Sequence, residues 1–327
     1  MKGQLPVSGQ TKSLKRFTDL VVQLERERKS HIFSIIHAAP GAHLCSGKFP
    51  EFVKRRKQFD GYDNLEVILH SPGGDADVAF RLAKFFRRRF SKFSVIVPLM
   101  AQSAATVLCL AADNIFMGEF AELGPIDVQI HDPVERGAEP LSPLDEFKSM
   151  EFLRDYALEV FDFFTLMIIQ RSGMSVKEAI HESAPYVTAM VRPLFEKIDP
   201  LEVGGHRRAL SVGEEYAKRL LTLAGNPVVD SIVQRLIWKY PSHDFGIDCE
   251  EALDLKLPIE ALDRSQDERL TGAIMELIQD GISFHGFVST QASASASATL
   301  PKTKRRRSHA VPNSSNGVVA AGRRAVS

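Results

Sequence analysis

The chain is 327 residues long, 44% hydrophobic, and carries 41 basic against 41 acidic residues. That length is enough for a sizeable core in one large domain or two ordinary ones. A formal net charge of zero gives no global reason to bind nucleic acid or an anionic membrane. Cys45, Cys109 and Cys249 lie far apart, without disulfide-framework or metal-ligand spacing, and read as reduced thiols. The N-terminus is polar, and every apolar run stops short of the roughly 18 residues that cross a bilayer. A soluble, cytoplasmic protein without metal or cofactor is therefore expected.

In chain order, Thr11 to Ser30 reads as a charged amphipathic helix, followed by a strand-like run from His31 to His37 (HIFSIIH). Residues 38–48 carry Pro40, Gly41 and Gly47 and read as a loop, with Cys45 inside it. Phe49 to Phe59 reads as a basic helix. The apolar strand Leu65 to Leu69 then runs directly into His70, Ser71, Pro72, Gly73 and Gly74. From Ala76 to Phe90, apolar Val78, Leu82, Phe85 and Phe86 recur at helical spacing. A third short strand, Val95 to Val97, breaks at Pro98. A turn carrying Ser103 follows, and then a helix of small residues from Ala104 to Ala112.

Short apolar strands alternating with helices, without hairpin signals, predict an α/β layered fold with a largely parallel sheet. In such sheets ligands gather at the carboxyl ends of the strands, where both informative turns lie. Two glycines after Pro72 permit positive φ angles and close backbone approach. An N–H from Gly73 or Gly74, paired with that of Ala104, could stabilise an oxyanion beside Ser103. The plain alternatives are an ordinary strand-to-helix turn and a serine that caps a helix.

The SPGG turn, the AQSAAT turn thirty residues on, and the stretch AADNIFMGEFAELGPIDVQ resemble the crotonase-like serine peptidases. That superfamily includes the Clp protease subunits and signal peptide peptidase A, and the resemblance is greatest to the serine dehydrogenase proteinase family. It spans roughly residues 32–262 and is most specific between Leu65 and Gln129. The segment YPSHDFGIDCEEALDLKLP, Tyr240 to Pro258, is similar to the family's closing segment, with Lys256 where a glycine is expected. The family pattern often places a glycine just after the nucleophile, where this chain has Ala104 and Ala105.

The resemblance implies a crotonase-like (ClpP/SppA-type) fold of repeated strand–turn–helix units with a helical C-terminal part. It implies peptide-bond hydrolysis by Ser103, with backbone donors from Gly73 or Gly74 and from Ala104, and assembly into a homo-oligomer. The absence of a GxxxxGK[ST] loop means that any ATP-driven unfolding partner would be separate. A non-peptidase reading stands beside this one: an acyl-CoA-type crotonase or a catalytically inactive, structural homologue.

A serine hydroxyl needs a base. Lys148, 45 residues after Ser103, lies near the start of a long helix from Pro143 to Arg171, and a partly desolvated lysine can serve. Signal peptide peptidases of the superfamily use such a Ser–Lys dyad. His131, 28 residues after Ser103, is the alternative base, although its setting suits a surface histidine better. Asp127 could be a third triad member or a loop cap, and His70 a satisfied near-core histidine.

Further on, Ser175 to Glu182 reads as a helix, 185–200 as mixed, and Val203 to Arg208 as a loop because of Gly204 and Gly205. Gly213 to Leu223 and Val228 to Lys239 read as amphipathic helices. From Val288 the chain is poor in apolar bulk and holds Lys302, Lys304, Arg305, Arg306 and Arg307, which predicts a solvated basic tail. The expected organisation is an N-terminal helical extension at 1–30, a peptidase domain at 31–287 and that tail at 288–327. The expected partner is a peptide or protein substrate, with no specific nucleic-acid site and no membrane.

Overall fold

The computed structural model describes residues 7–127 and 143–288. Helix α1 (Val7–Arg28) leads into strand β1 (His31–Ile36), and α2 (Phe49–Arg55) precedes β2 (Asn64–His70). Helix α3 (Ala76–Arg89) connects β2 to β3 (Lys92–Val97). After β4 (Met100–Ala101), α4 (Ala104–Cys109) carries the chain to β5 (Asn114–Met117) and β6 (Glu122–Leu123). The remainder is mainly helical: α5 (Pro143–Ser172), α6 (Val176–Phe195), α7 (Pro200–Leu223), α8 (Val229–Gln234), α9 (Cys249–Asp254) and α10 (Arg264–Asp280). Strands β7 (Ile259–Ala261) and β8 (Phe284–Phe287) complete the described chain.

The main sheet has the order β7-β5-β3-β2-β1-β8. Its neighbours run parallel except β8, which lies antiparallel on β1. The mixed α/β layering expected from the strand–turn–helix alternation is what forms. Alternation along the strands fills both faces. Phe33, Ile35, Val67, Leu69, Val95 and Val97 pack with α3, α4 and α7. Ile32, Ile36, Ile68 and Ile96 meet Phe17, Leu24, Leu270 and Ile274 of α1 and α10. Each such side chain contributes about 1.5–3 kcal/mol, and α1 with α10 covers the second face of the sheet. Among the described residues, no helix is long and apolar enough to cross a membrane.

A second, two-stranded parallel sheet, β4 with β6, stands at the carboxyl ends of the main strands. Ser71, just past β2, pairs with it: the Ser71 N–H donates to the Met100 carbonyl at 3.0 Å, and the Gln102 N–H to the Ser71 carbonyl at 3.0 Å. The glycine turn and the serine turn are thereby tied together by backbone.

Three elements differ from the sequence reading. Helix α4 stops at Cys109 instead of reaching Ala112, because Asp113 must enter beside β3, where its N–H donates to the Phe93 carbonyl at 2.7 Å. The expected loop at Val203–Arg208 lies inside α7. Asp199 caps that helix, Pro200 opens it, and burial of Leu210, Ala217, Leu220 and Leu221 offsets the roughly 1 kcal/mol that each interior glycine costs. Helix α6 likewise runs on to Phe195 with Pro185 and Pro193 inside it. It starts from a Ser175–Glu178 capping box and buries Ala179, Ser183 and Val187.

Candidate active site

Ser103 sits where the chain leaves β4 for α4, with φ 50° and ψ −120°. A non-glycine residue there is strained by about 1–3 kcal/mol, and such strain persists only where the surroundings impose it. Ser103 occupies the N-cap position, yet its hydroxyl makes no capping hydrogen bond. Helix capping therefore does not explain this serine. The side chain is half-buried.

The glycine turn lies directly against it. A Cβ on Gly73 would stand 2.8 Å from both the Ser103 Cβ and the Gln102 carbonyl oxygen, and 3.2 Å from the Ala104 nitrogen. With φ at 111°, only glycine fits on both counts. Leu44 clamps the turn from behind: its N–H donates to the Gly73 carbonyl at 2.8 Å, and its own carbonyl accepts from the Asp75 N–H at 2.9 Å. The Gly73 N–H donates to the Ser71 hydroxyl at 3.1 Å. The N–H groups of Gly74 and Ala104 meet no acceptor among the described residues.

Thr106, fully buried on α4, fastens the serine turn to the next strand. Its hydroxyl donates to the Ala101 carbonyl at 2.7 Å and accepts from the Gly124 N–H at 3.0 Å. Gly124 in turn lies against Gln102, 3.2 Å from its Cα to a built Cβ. Nothing in the sequence reading singled out Thr106.

Three residues beyond Gly124, the buried Asp127 carboxylate lies 2.9 Å from Nδ1 of His243. The segments holding them run side by side. Leu123 and Ile247 exchange N–H···O bonds at 2.9 Å, and the Ile126 N–H donates to the Leu236 carbonyl at 3.1 Å. The sequence offers Asp127 as a triad member or loop cap, but it does not mark His243 as a base. The one available signal was its place in the PSHD part of the closing segment.

Lys148, on α5, donates from Nζ to the Tyr240 carbonyl at 2.9 Å, three residues before His243. The lysine and the histidine therefore approach the same loop. His131 lies outside the described residues. His70 is buried beside the glycine turn, and its Nδ1 finds no partner among the described residues. Burial pulls its pKa down to about 4, so the ring is neutral.

Two proteins of Methanocaldococcus jannaschii resemble the chain. Uncharacterized protein MJ0137 is 28% identical over 196 residues, covering 60% of this chain and 53% of that protein. Uncharacterized protein MJ1495 is 29% identical over 117 residues, covering 33% and 40%. The chain thus spans about half the length, or less, of the curated relatives it matches. Two solved structures of the 1510-N membrane-bound stomatin-specific protease are each 14% identical to it. A serine-to-alanine variant has a TM-score of 0.34, covering 70% of this chain and 79% of that one. A lysine-to-alanine variant in complex with a substrate peptide has a TM-score of 0.40, covering 72% and 76%. Residues 51–141, which hold the glycine turn and the Ser103 turn, match the family model described as ClpP-like SDH-type serine proteinase, and this bears out the family read from HSPGG and AQSAAT.

Proposed function

We propose that the chain is a serine peptidase with Ser103 as nucleophile. The observation that carries this reading is the strained Ser103 backbone, which holds an uncapped hydroxyl against Gly73 within the segment that matches the family. Ser103 Oγ attacks the scissile carbonyl carbon while a base takes its proton. The carbonyl oxygen becomes an oxyanion, received by the open N–H groups of Gly74 and Ala104. Gly73 shapes this hole, and its own N–H joins only when Ser71 releases it. The intermediate collapses as the protonated base gives its proton to the leaving amine. Water, deprotonated by the same base, then hydrolyses the acyl-serine ester.

Among the described residues, two groups compete for the base. His243 has the arrangement a general base needs: an imidazole oriented by a buried carboxylate, Asp127, at 2.9 Å. Lys148 was the expected dyad partner, and its ammonium is engaged with the Tyr240 carbonyl. We favour His243, with Asp127 fixing its tautomer and Lys148 holding the loop between them. Turnover of a fluorogenic peptide separates the two. His243→Ala should remove turnover by at least about a hundredfold, and Lys148→Ala should leave most of it. The reverse result would restore the Ser–Lys dyad.

Self-association belongs to the same proposal. Phe152, Phe163, Leu166 and Tyr186 on α5 and α6 are each more than half exposed, an unusual apolar face for a monomer. Light scattering that gives a single-chain mass at micromolar concentration would contradict it.

A further inference from the structure

A cavity of about 80 Å³, lined in part by Leu44, opens between β1, the loop before α2, α2 itself, α3 and β8. Its floor is aromatic and aliphatic: Phe33, Phe52, Phe59, Val78 and Leu82. Its mouth carries Lys48 and Arg55, and neither has a carboxylate partner among the described residues. Arg81 of α3, by contrast, is engaged with Asp77 and with the face of Phe49. Glu51 is the one acidic group lining the cavity, so the mouth keeps an excess of one positive charge.

The polar wall is made of His37 and His285, joined Nε2 to Nε2 at 2.8 Å. Burial is the first cause for both; His285 and then Lys48 add to it for His37, whose pKa falls to about 2, and Lys48 and Arg55 add to it for His285, whose pKa falls to about 4. Both rings are therefore neutral, and neither answers the charge of Lys48 and Arg55. His37 Nδ1 lies 2.8 Å from the Ser71 hydroxyl that receives the Gly73 N–H. The cavity wall is thus one hydrogen bond removed from the catalytic turn.

With Glu51 beside Lys48 and Arg55, the mouth of this apolar cavity carries one net positive charge, which matches an amphipathic monoanion such as a carboxylate better than a doubly charged phosphate. We propose that this cavity is a binding site for a small organic monocarboxylate with a short branched aliphatic body. Its carboxylate lies between Arg55 and Lys48, and its body lies against Phe33, Phe52 and Phe59.

Binding is read directly, apart from any chemistry at Ser103, by calorimetry and by the imidazole resonances of the full chain titrated with isovalerate. Saturable binding near about 1 mM or tighter is expected, with the His285 and His37 signals moving and that of exposed His181 unmoved. The uncharged 3-methylbutan-1-ol should bind at least about tenfold more weakly. The Arg55→Gln, Lys48→Gln double variant should lose the acid's advantage over the alcohol while keeping the wild-type melting temperature. Absence of saturation in the wild type, equal affinity for acid and alcohol, or an unchanged advantage in the folded double variant would each overturn the proposal. The wild-type resonances decide the matter even if the variant does not fold.

Discussion

Gly73 and Ser103 touch through the space where a side chain on the glycine would be: a Cβ there falls 2.8 Å from the Ser103 Cβ. The two turns form one object, although thirty residues separate them. Gly73→Ala forces the serine turn outward and places alanine at φ 111°. A displacement of about 1 Å at a reacting group costs about a hundredfold in rate, so kcat/KM on a reporter peptide should fall at least that far. A denaturant titration should show the variant folded and destabilised by about 1–3 kcal/mol. Wild-type turnover in the variant would mean that the close approach has no bearing on catalysis.

Thr106→Val keeps the volume and removes the hydroxyl. The Gly124 N–H loses its acceptor and the Ala101 carbonyl its donor, both in buried surroundings. Leaving such groups unpaired costs about 1–3 kcal/mol each, which should appear as a lower unfolding midpoint. Thr106→Ser, which keeps the oxygen, should recover most of that loss. Equal stability of the Val and Ser variants would contradict the assignment.

These two residues also mark what the sequence can and cannot reveal. Pro72-Gly73-Gly74 and Gln102-Ser103-Ala104 are legible because sterically demanding backbone leaves few residue choices, so the constraint is written locally. The Asp127–His243 contact joins positions 116 residues apart, and its cause is the pairing of two loops that no local pattern encodes. The glycines of α7 misled because flexibility is only a cost of about 1 kcal/mol each, and the buried face further along the helix outweighs it.

Lys256, where the family pattern expects glycine, closes α9 at φ 65°. The Leu257 N–H donates back to the Ala252 carbonyl, and the Lys256 N–H to the Leu253 carbonyl at 2.9 Å, the left-handed cap that glycine serves best. The lysine side chain is exposed, so Lys256→Gly gives up no packing. A gain of about 1 kcal/mol or less is expected, reduced by the greater freedom of glycine in the unfolded chain. A large loss of stability would show that the side chain has a partner in solution.

Acid should weaken the fold earlier than carboxylates alone would. His70 and His285 have native pKa values lowered from 6.5 to about 4, and His37 to about 2. Between pH 6.5 and 4 the unfolded chain therefore binds protons that the native chain refuses, and stability falls as the pH drops. Each fully refused proton is worth about 1.4 kcal/mol per pH unit. Unfolding midpoints measured from pH 7 to pH 5 should decline steadily. A flat profile over that range would show that these rings protonate without opening the structure.

The central claim is that Ser103 is a nucleophile, and a fluorophosphonate probe tests it most directly. Incubation of the full chain, followed by peptide mass mapping, should place a single adduct on Ser103 and none in folded Ser103→Ala. An adduct that persists in Ser103→Ala, or no adduct on a folded, monodisperse wild-type protein, would contradict the account.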